Sequence, residues 1–219
     1  MSTEDQYKTI EGESSGTFRD RGSKFIAFAG PAVSEAACED YLENIRQLHP
    51  KARHHCYAYR LGPKGKRYRA NDDGEPSGTA GRPILGQIDR FELTNVMLVV
   101  VRYFGGTLLG TSGLIQAYKG SAEAALSSAR IIRKTVKDIY RIRFDSGLMG
   151  PMMNAVKERG LDIVSQDFSA SPCLEVAIPK SEASETVRRL KAELGDLYPG
   201  EIEPDTSIDG LRFTYLRTR

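Results

Sequence analysis

The chain of 219 residues carries 31 Lys and Arg against 29 Asp and Glu, and 40% of its residues are hydrophobic. This composition is typical of a globular protein and excludes a disordered or membrane-embedded chain. Its three cysteines, Cys38, Cys56 and Cys173, form no CxxC pair, which argues against a disulfide framework and a cysteine-rich zinc site.

Strands and helices alternate in the first half. The β-branched apolar run at residues 96–103 predicts a strand covered on both faces. Ser34 is placed to cap a helix that ends before Pro50. In chain order, the predicted elements are strands at residues 7–12 and 18–29, a helix at 34–48, strands at 55–61 and 66–70, a helix at 83–91, a strand at 96–103 and a helix at 114–129.

The pattern changes near Ile132, so we expect two domains at residues 1–134 and 135–219. In the second, the predicted elements are a strand at 138–144, a helix at 151–160, strands at 161–168 and 173–178, a helix at 184–194 and a strand at 211–216. The order βαββαβ is that of the ferredoxin-like split unit, and the fold class is therefore α+β.

The main feature of the charge pattern is a basic stretch at residues 51–69, which contains no acidic residue. Clustered cations can neutralise phosphates, and aromatic rings between them can stack on unpaired bases. A solvated hairpin with its tyrosines packed on the core is the alternative interpretation. The predicted nucleic-acid-binding residues are Lys51, Arg53, Lys64, Lys66, Arg67 and Arg69 with Tyr57, Tyr59 and Tyr68.

A glycine-rich loop follows the apolar strand and is the second candidate site. Its backbone amides could approach an anion at the start of the next helix, although it matches neither a Walker A nor a GxGxxG motif. A tight strand-to-helix turn is the alternative. Arg102, at the end of the strand, would serve as a fork-shaped anion ligand or as the partner of a nearby acid. The predicted anion-binding residues are Arg102, Gly105, Gly106, Gly110, Gly113, His54 and His55.

Because His54 and His55 are adjacent on a predicted strand, they should point to opposite faces and not chelate one metal together. The acidic loop that follows carries Asp72, Asp73, Glu75, Ser77 and Thr79. It is compatible with an Asx-type turn, with Ser77 and Thr79 capping the next helix, or with a cation or acid–base site. We predict no metal site and no cofactor.

Three long motifs occur in order: HH followed by YAYR at residues 54–60, DDGEPSGTAG at 72–81 and VVVRYFGGTLLG at 99–110. The chain resembles the IMPACT/YigZ family in these motifs, and its second half resembles the bacterial YigZ branch. Ser112 and Gln116 depart from the pattern, where glycine and a basic residue are frequent.

The resemblance implies an N-terminal β-α-β domain similar to ribosomal proteins and to domain IV of elongation factor G, and a C-terminal domain similar to its domain V. It also implies a link to translation, because eukaryotic relatives restrain a starvation-activated kinase by competing for a ribosome-associated partner.

Function is predicted from these features together. The leading hypothesis is a non-enzymatic, translation-linked regulatory protein that contacts RNA, the ribosome or a ribosome-associated protein. One alternative is a hydrolase-type enzyme on a small phosphorylated or peptide substrate, with the side chains of Asp72, Asp73, Glu75, His54 and Arg102 converging in a cleft. The other is a purely protein-binding regulator with an exposed apolar patch. The polar, acidic start and the short apolar run at 96–101 predict a cytoplasmic protein without membrane contact.

Overall fold

A computed structural model describes residues 5–169, 171–198, 200, 202–203 and 206–219. Two compact units make up the chain: residues Tyr7–Lys134 form one, and Thr135–Arg219 form the other together with the described residues before Tyr7. No helix within the described residues is long and apolar enough to cross a membrane.

The first unit is built on a five-stranded antiparallel sheet in the order β2-β3-β6-β4-β5, beside a two-stranded sheet of β1 and β7. The bounds of its elements are β1 Gln6–Glu11, β2 Ser14–Asp20, β3 Ser23–Pro31, α1 Glu35–Leu48, β4 His54–Leu61, β5 Arg67–Asn71, α2 Gly81–Arg90, β6 Val96–Tyr103, α3 Gly110–Ser127 and β7 Arg130–Thr135.

Strand β6 lies at the centre of this sheet and separates two apolar clusters. Leu98 and Val100 belong to the cluster packed with α2 and α3, whereas Val99 and Val101 belong to the cluster packed with α1. All four side chains are fully buried, so the prediction of a strand covered on both faces is confirmed. The hydroxyl of Ser34 accepts a hydrogen bond from the amide of Ala37 at 3.2 Å, which confirms the predicted cap of α1.

Two local predictions for this unit are wrong. The single strand expected at residues 18–29 is a hairpin of β2 and β3, because Arg21 and Gly22 both adopt positive φ and close a two-residue turn between Asp20 and Ser23. The helix expected at residue 114 begins at Gly110, so the second half of the glycine-rich loop is its first turn.

The second unit is a four-stranded antiparallel sheet in the order β11-β8-β10-β9. Its elements are β8 Lys137–Phe144, α4 Met149–Glu158, β9 Asp162–Asp167, β10 Cys173–Pro179, α5 Ala183–Leu194 and β11 Leu211–Thr218. Ile142 and Val176 on the central strands pack with Met152 of α4 and Leu190 of α5 in one core. This order of strands and helices confirms the predicted α+β, ferredoxin-like fold.

Candidate functional site

A cleft of about 300 Å³ lies where β6 ends and β4 begins, and is the best candidate site in the first unit. Arg53, His54, Arg102, Phe104 and Leu108 line it. His54 and Arg102 are paired directly across β4 and β6, so their side chains share one face of the sheet. Phe104 and Leu108 are 49% and 81% exposed, which places an aromatic and an aliphatic side chain beside three basic ones.

Arg102 is the buried cation of this cleft. Only 8% of its side chain is exposed, and its Nη1 donates to Oε1 of Glu75 at 2.6 Å. Its guanidinium lies between the rings of Phe25 and Phe104, at 5.5 and 5.6 Å from their centroids. Within the described part of the chain, Nε has no hydrogen-bond partner. Because this nitrogen is itself fully buried, Arg102 holds an unused donor within the wall of the cleft.

Glu75 belongs to a buried chain of hydrogen bonds behind Arg102. The Tyr118 hydroxyl donates to the same Oε1 at 2.8 Å, and the Cys56 thiol lies 3.3 Å from the Tyr118 oxygen. Burial raises the pKa of the Cys56 thiol well above its usual range despite the hydrogen bond to Tyr118, and the nearby carboxylates of Glu75, Asp73 and Asp72 raise it further. Burial likewise raises the pKa of Tyr118. Both groups therefore stay protonated, which makes Cys56 a poor nucleophile.

The acidic loop has a structural role in this network. The carboxylate of Asp72 accepts hydrogen bonds from the amides of Gly78, Ala80 and Gly81 at 2.8–3.0 Å. Burial alone would raise the pKa of this carboxyl, but the three amide donors and the charge of Arg82 outweigh it and hold the pKa below its ordinary value. The start of α2 is thus capped from outside the helix.

The prediction that Ser77 and Thr79 cap α2 is wrong. The Thr79 hydroxyl donates to the carbonyl of Pro76 at 2.6 Å, Ser77 is exposed, and Ala80 occupies the cap position without a side-chain bond. The carboxylate of Asp72 reaches the helix start instead, because the loop folds back on itself.

The two histidines lie on opposite faces, as predicted. Nδ1 of His54 lies 2.7 Å from the carbonyl oxygen of Asp73, so it carries the proton and donates to that oxygen, while Nε2 lies 4.0 Å from Oε1 of Glu75. His55 is buried on the α1 face, with Nε2 3.2 Å from the carbonyl oxygen of His49. His55 is therefore not part of the cleft, and its inclusion among the anion-binding residues is corrected.

The glycine-rich loop meets the β2–β3 turn. The amide of Gly105 donates to the hydroxyl of Ser23 at 3.1 Å, and Gly106 and Gly110 have φ of 89° and 70°, which favour glycine. Gly110 and Gly113 belong to the first turn of α3, where no side chain caps the helix. Its amide donors are therefore left to solvent or to an anion beside the cleft.

Replacing Gly105 by Ala is expected to destabilise the first unit by about 1–2 kcal/mol, because the new Cβ would lie 1.9 Å from the carbonyl carbon of Gly22. Urea unfolding followed by circular dichroism measures the change. Gly86→Ala in α2 is the matched control, since its Cβ meets nothing within 4 Å and helix propensity favours alanine. Equal stability of the two variants would contradict the close packing of the turn and loop.

The basic stretch does not form one surface. Arg53 lies at the start of β4 beside the cleft, and Lys64 lies in the turn beyond its far end. At roughly 3.3 Å per residue, the eight residues of β4 separate these ends by about 23 Å. Arg67 and Arg69 share the α1 face of the edge strand, whereas Tyr68 lies on the opposite face over Arg60.

Tyr57 and Tyr59 are only 9% and 6% exposed and pack in the cluster beneath α1. The expectation that they present their rings to bases is therefore corrected; the third tyrosine, Tyr68, is 61% exposed. Six predicted cations of the basic stretch form no ion pair with any described residue. They are Lys51, Arg53, Lys64, Lys66, Arg67 and Arg69.

No group of three or more His, Cys, Asp or Glu among the described residues could hold a metal ion. The fold and the cleft define a two-unit α+β protein whose first unit presents basic and aromatic side chains at the end of its central strand.

Known proteins place this chain in a family. A model of the Impact N-terminal domain matches residues 21–126. The chain is 33% identical to IMPACT family member YigZ of Escherichia coli (strain K12), over 83% of this chain and 88% of that protein. It is 31% identical to IMPACT family member YvyE of Bacillus subtilis (strain 168), over 82% and 84% of the two chains.

A crystal structure of a hypothetical protein, 29% identical, covers 97% of this chain and 98% of its own with a TM-score of 0.68. The chain belongs to the IMPACT family, and the resemblance inferred from its motifs is confirmed.

Proposed function

We propose that this protein is a non-enzymatic regulator linked to translation, and that it binds RNA through the cleft around Arg102. The observation that carries the proposal is the cleft itself, in which Arg53 and Arg102 lie beside the exposed ring of Phe104. Its resemblance to the IMPACT family supports the link to translation.

The chemistry of the cleft suits a single-stranded nucleotide. Arg53 would neutralise a phosphate, Arg102 would lie beside it in its pair with Glu75, and the uncapped start of α3 would add backbone donors. The exposed ring of Phe104 would stack on a base, a contact that every base can make. Binding of this kind depends strongly on salt and weakly on sequence.

A hydrolase-type enzyme has less support. The carboxylates that such an enzyme would use hold the fold, since Glu75 pairs with Arg102 and Asp72 caps α2. The nearest thiol, Cys56, is buried and its pKa is raised. These contacts commit both carboxylates to the fold, and His54 is the group of the cleft lining that could still act as a general base.

The proposal predicts that Arg53→Ala and Phe104→Ala each weaken binding of a single-stranded RNA oligonucleotide about tenfold. Arg53→Ala should also lower the slope of log affinity against log salt by about 0.7, because one phosphate contact is lost. Fluorescence anisotropy at several salt concentrations measures both effects.

Two matched controls lie at the other end of the sheet. Lys64→Ala removes one exposed cation, and Tyr68→Ala removes one exposed ring, without altering the cleft. We expect both to bind RNA within about twofold of the parent, a difference of roughly 0.4 kcal/mol. Equal losses in all four variants would indicate diffuse electrostatic attraction, and absence of binding by the parent would remove the proposal.

A further inference from the structure

Two arginines lie side by side in the second unit. Arg143 on β8 and Arg212 on β11 are directly paired across the strands, so their Cβ atoms are about 5 Å apart on one face. Their neighbours Ile142, Phe144 and Leu211 are buried in the core with α4 and α5, so the arginines point to the other face. Like charges placed directly opposite each other destabilise a sheet.

The next row of the same sheet shows how such a charge is normally compensated. There Arg141 forms an ion pair with Glu175 on β10, at 2.6 Å. Arg143 and Arg212 are both exposed, and neither lies in an ion pair with any described residue. Asp167 on β9 is aligned with the two arginines across the sheet, but β10 lies between it and Arg143. The arginine pair therefore keeps its full charge.

A cleft of about 640 Å³ opens beside this pair. Both arginines line it, together with the hydroxyl-bearing Ser146, Ser171 and Ser207. Asp145 lines it as well, and in the described residues it forms no ion pair with either arginine. Clefts of this size bind small ligands, and these side chains are mainly hydrogen-bond donors.

We propose that this cleft binds the phosphate of a ribonucleotide. Two arginines on directly paired positions can bring both guanidinium forks to one phosphate, and an anion between them removes the repulsion that the free pair carries. Serine hydroxyls can donate to the remaining oxygens. The carboxylate of Asp145 only accepts, which suits a sugar hydroxyl next to the phosphate and favours a nucleotide over inorganic phosphate. The nucleotide is either free or part of an RNA strand.

Titration of the full-length protein with AMP, with inorganic phosphate and with a short RNA tests this site. The side-chain Nε–H signals of the arginines, observed by NMR, report on binding directly. We expect AMP or the RNA to shift the signals of Arg143 and Arg212, with inorganic phosphate binding more weakly. Shifts with AMP would show that a free nucleotide is enough for binding. Shifts with the RNA but not with AMP would show that the site binds a nucleotide only within an RNA strand.

Arg143→Ala and Arg212→Ala should each lower the affinity at least tenfold. Arg217→Ala, which removes an exposed cation from the same strand, should leave affinity unchanged. If the two arginines only stabilised the fold, each alanine variant would have a lower Tm than the parent. Removing one of two repelling charges should instead leave the Tm of the variant equal or higher. A lower Tm in both arginine variants, or no shift with any probe, would overturn the proposal. The Arg53→Ala variant separates the two sites, since its second-unit signals should still respond.

Discussion

Replacing Glu75 by Leu is expected to destabilise the first unit by about 3–5 kcal/mol, the largest effect of any single change considered for this protein. The side chains of Glu75 and Arg102 are only 3% and 8% exposed, and Oε1 of Glu75 accepts from both Arg102 and Tyr118. Without this acceptor, the buried guanidinium loses its ion-pair partner, and the Tyr118 hydroxyl loses the oxygen to which it donates. The free energy of unfolding in urea measures the loss.

A double substitution separates the energetic contribution of the ion pair from that of the packing around it. Glu75→Leu combined with Arg102→Met should recover most of the stability, because an apolar pair of similar volume avoids the buried charge. Glu11→Gln is the surface control, since Glu11 and Arg130 pair with 51% and 78% of their side chains exposed and should contribute less than about 1 kcal/mol. A Glu75→Leu loss as small as that of the control would show that Arg102 is not buried in solution.

The sequence predicts the main elements of this fold well, because strong periodicity decides them. Strand β6 has the predicted bounds, and the βαββαβ order of the second unit follows from short strands and helices between clear turns. The β2–β3 hairpin was missed because its turn needs only Arg21 and Gly22, and apolar alternation continues on both sides. Strand β7 was missed because it is largely exposed, so it lacks a buried face to reveal it.

The candidate site is harder to predict, since it depends on contacts between distant segments. A partner for Arg102 in the acidic loop was an open alternative, and Glu75 fills that role. The cap by Asp72 could not be predicted, because Ser77 and Thr79 are typical cap residues and lie much nearer in sequence to the start of α2. The basic stretch appeared to be one patch because its residues are close in sequence, whereas a strand of eight residues separates Arg53 from Lys64.

Replacing Asp72 by Ala is the second large change and should destabilise the first unit by about 3 kcal/mol. The amides of Ala80 and Gly81, both buried, would lose their acceptor at the start of α2. The control is Asp167→Ala, because the fully exposed carboxylate of Asp167 accepts from the amide and the side chain of Ser169 in a short turn, and its loss should change stability far less. Urea unfolding of both variants gives the comparison.

The effect of Asp72 should also depend on pH, and the sign follows from its lowered pKa. Because the folded-state pKa lies below the unfolded value of about 3.9, the ionised carboxylate stabilises the fold fully above that pH. The stabilisation is lost as the pH falls through the folded-state pKa, when the carboxylate is protonated. The stability difference between the parent and Asp72→Asn should therefore be constant from pH 5 to 7, on the order of 2 kcal/mol, and shrink below pH 4. A difference that grows on acidification would mean that the three amides do not bind the charged form.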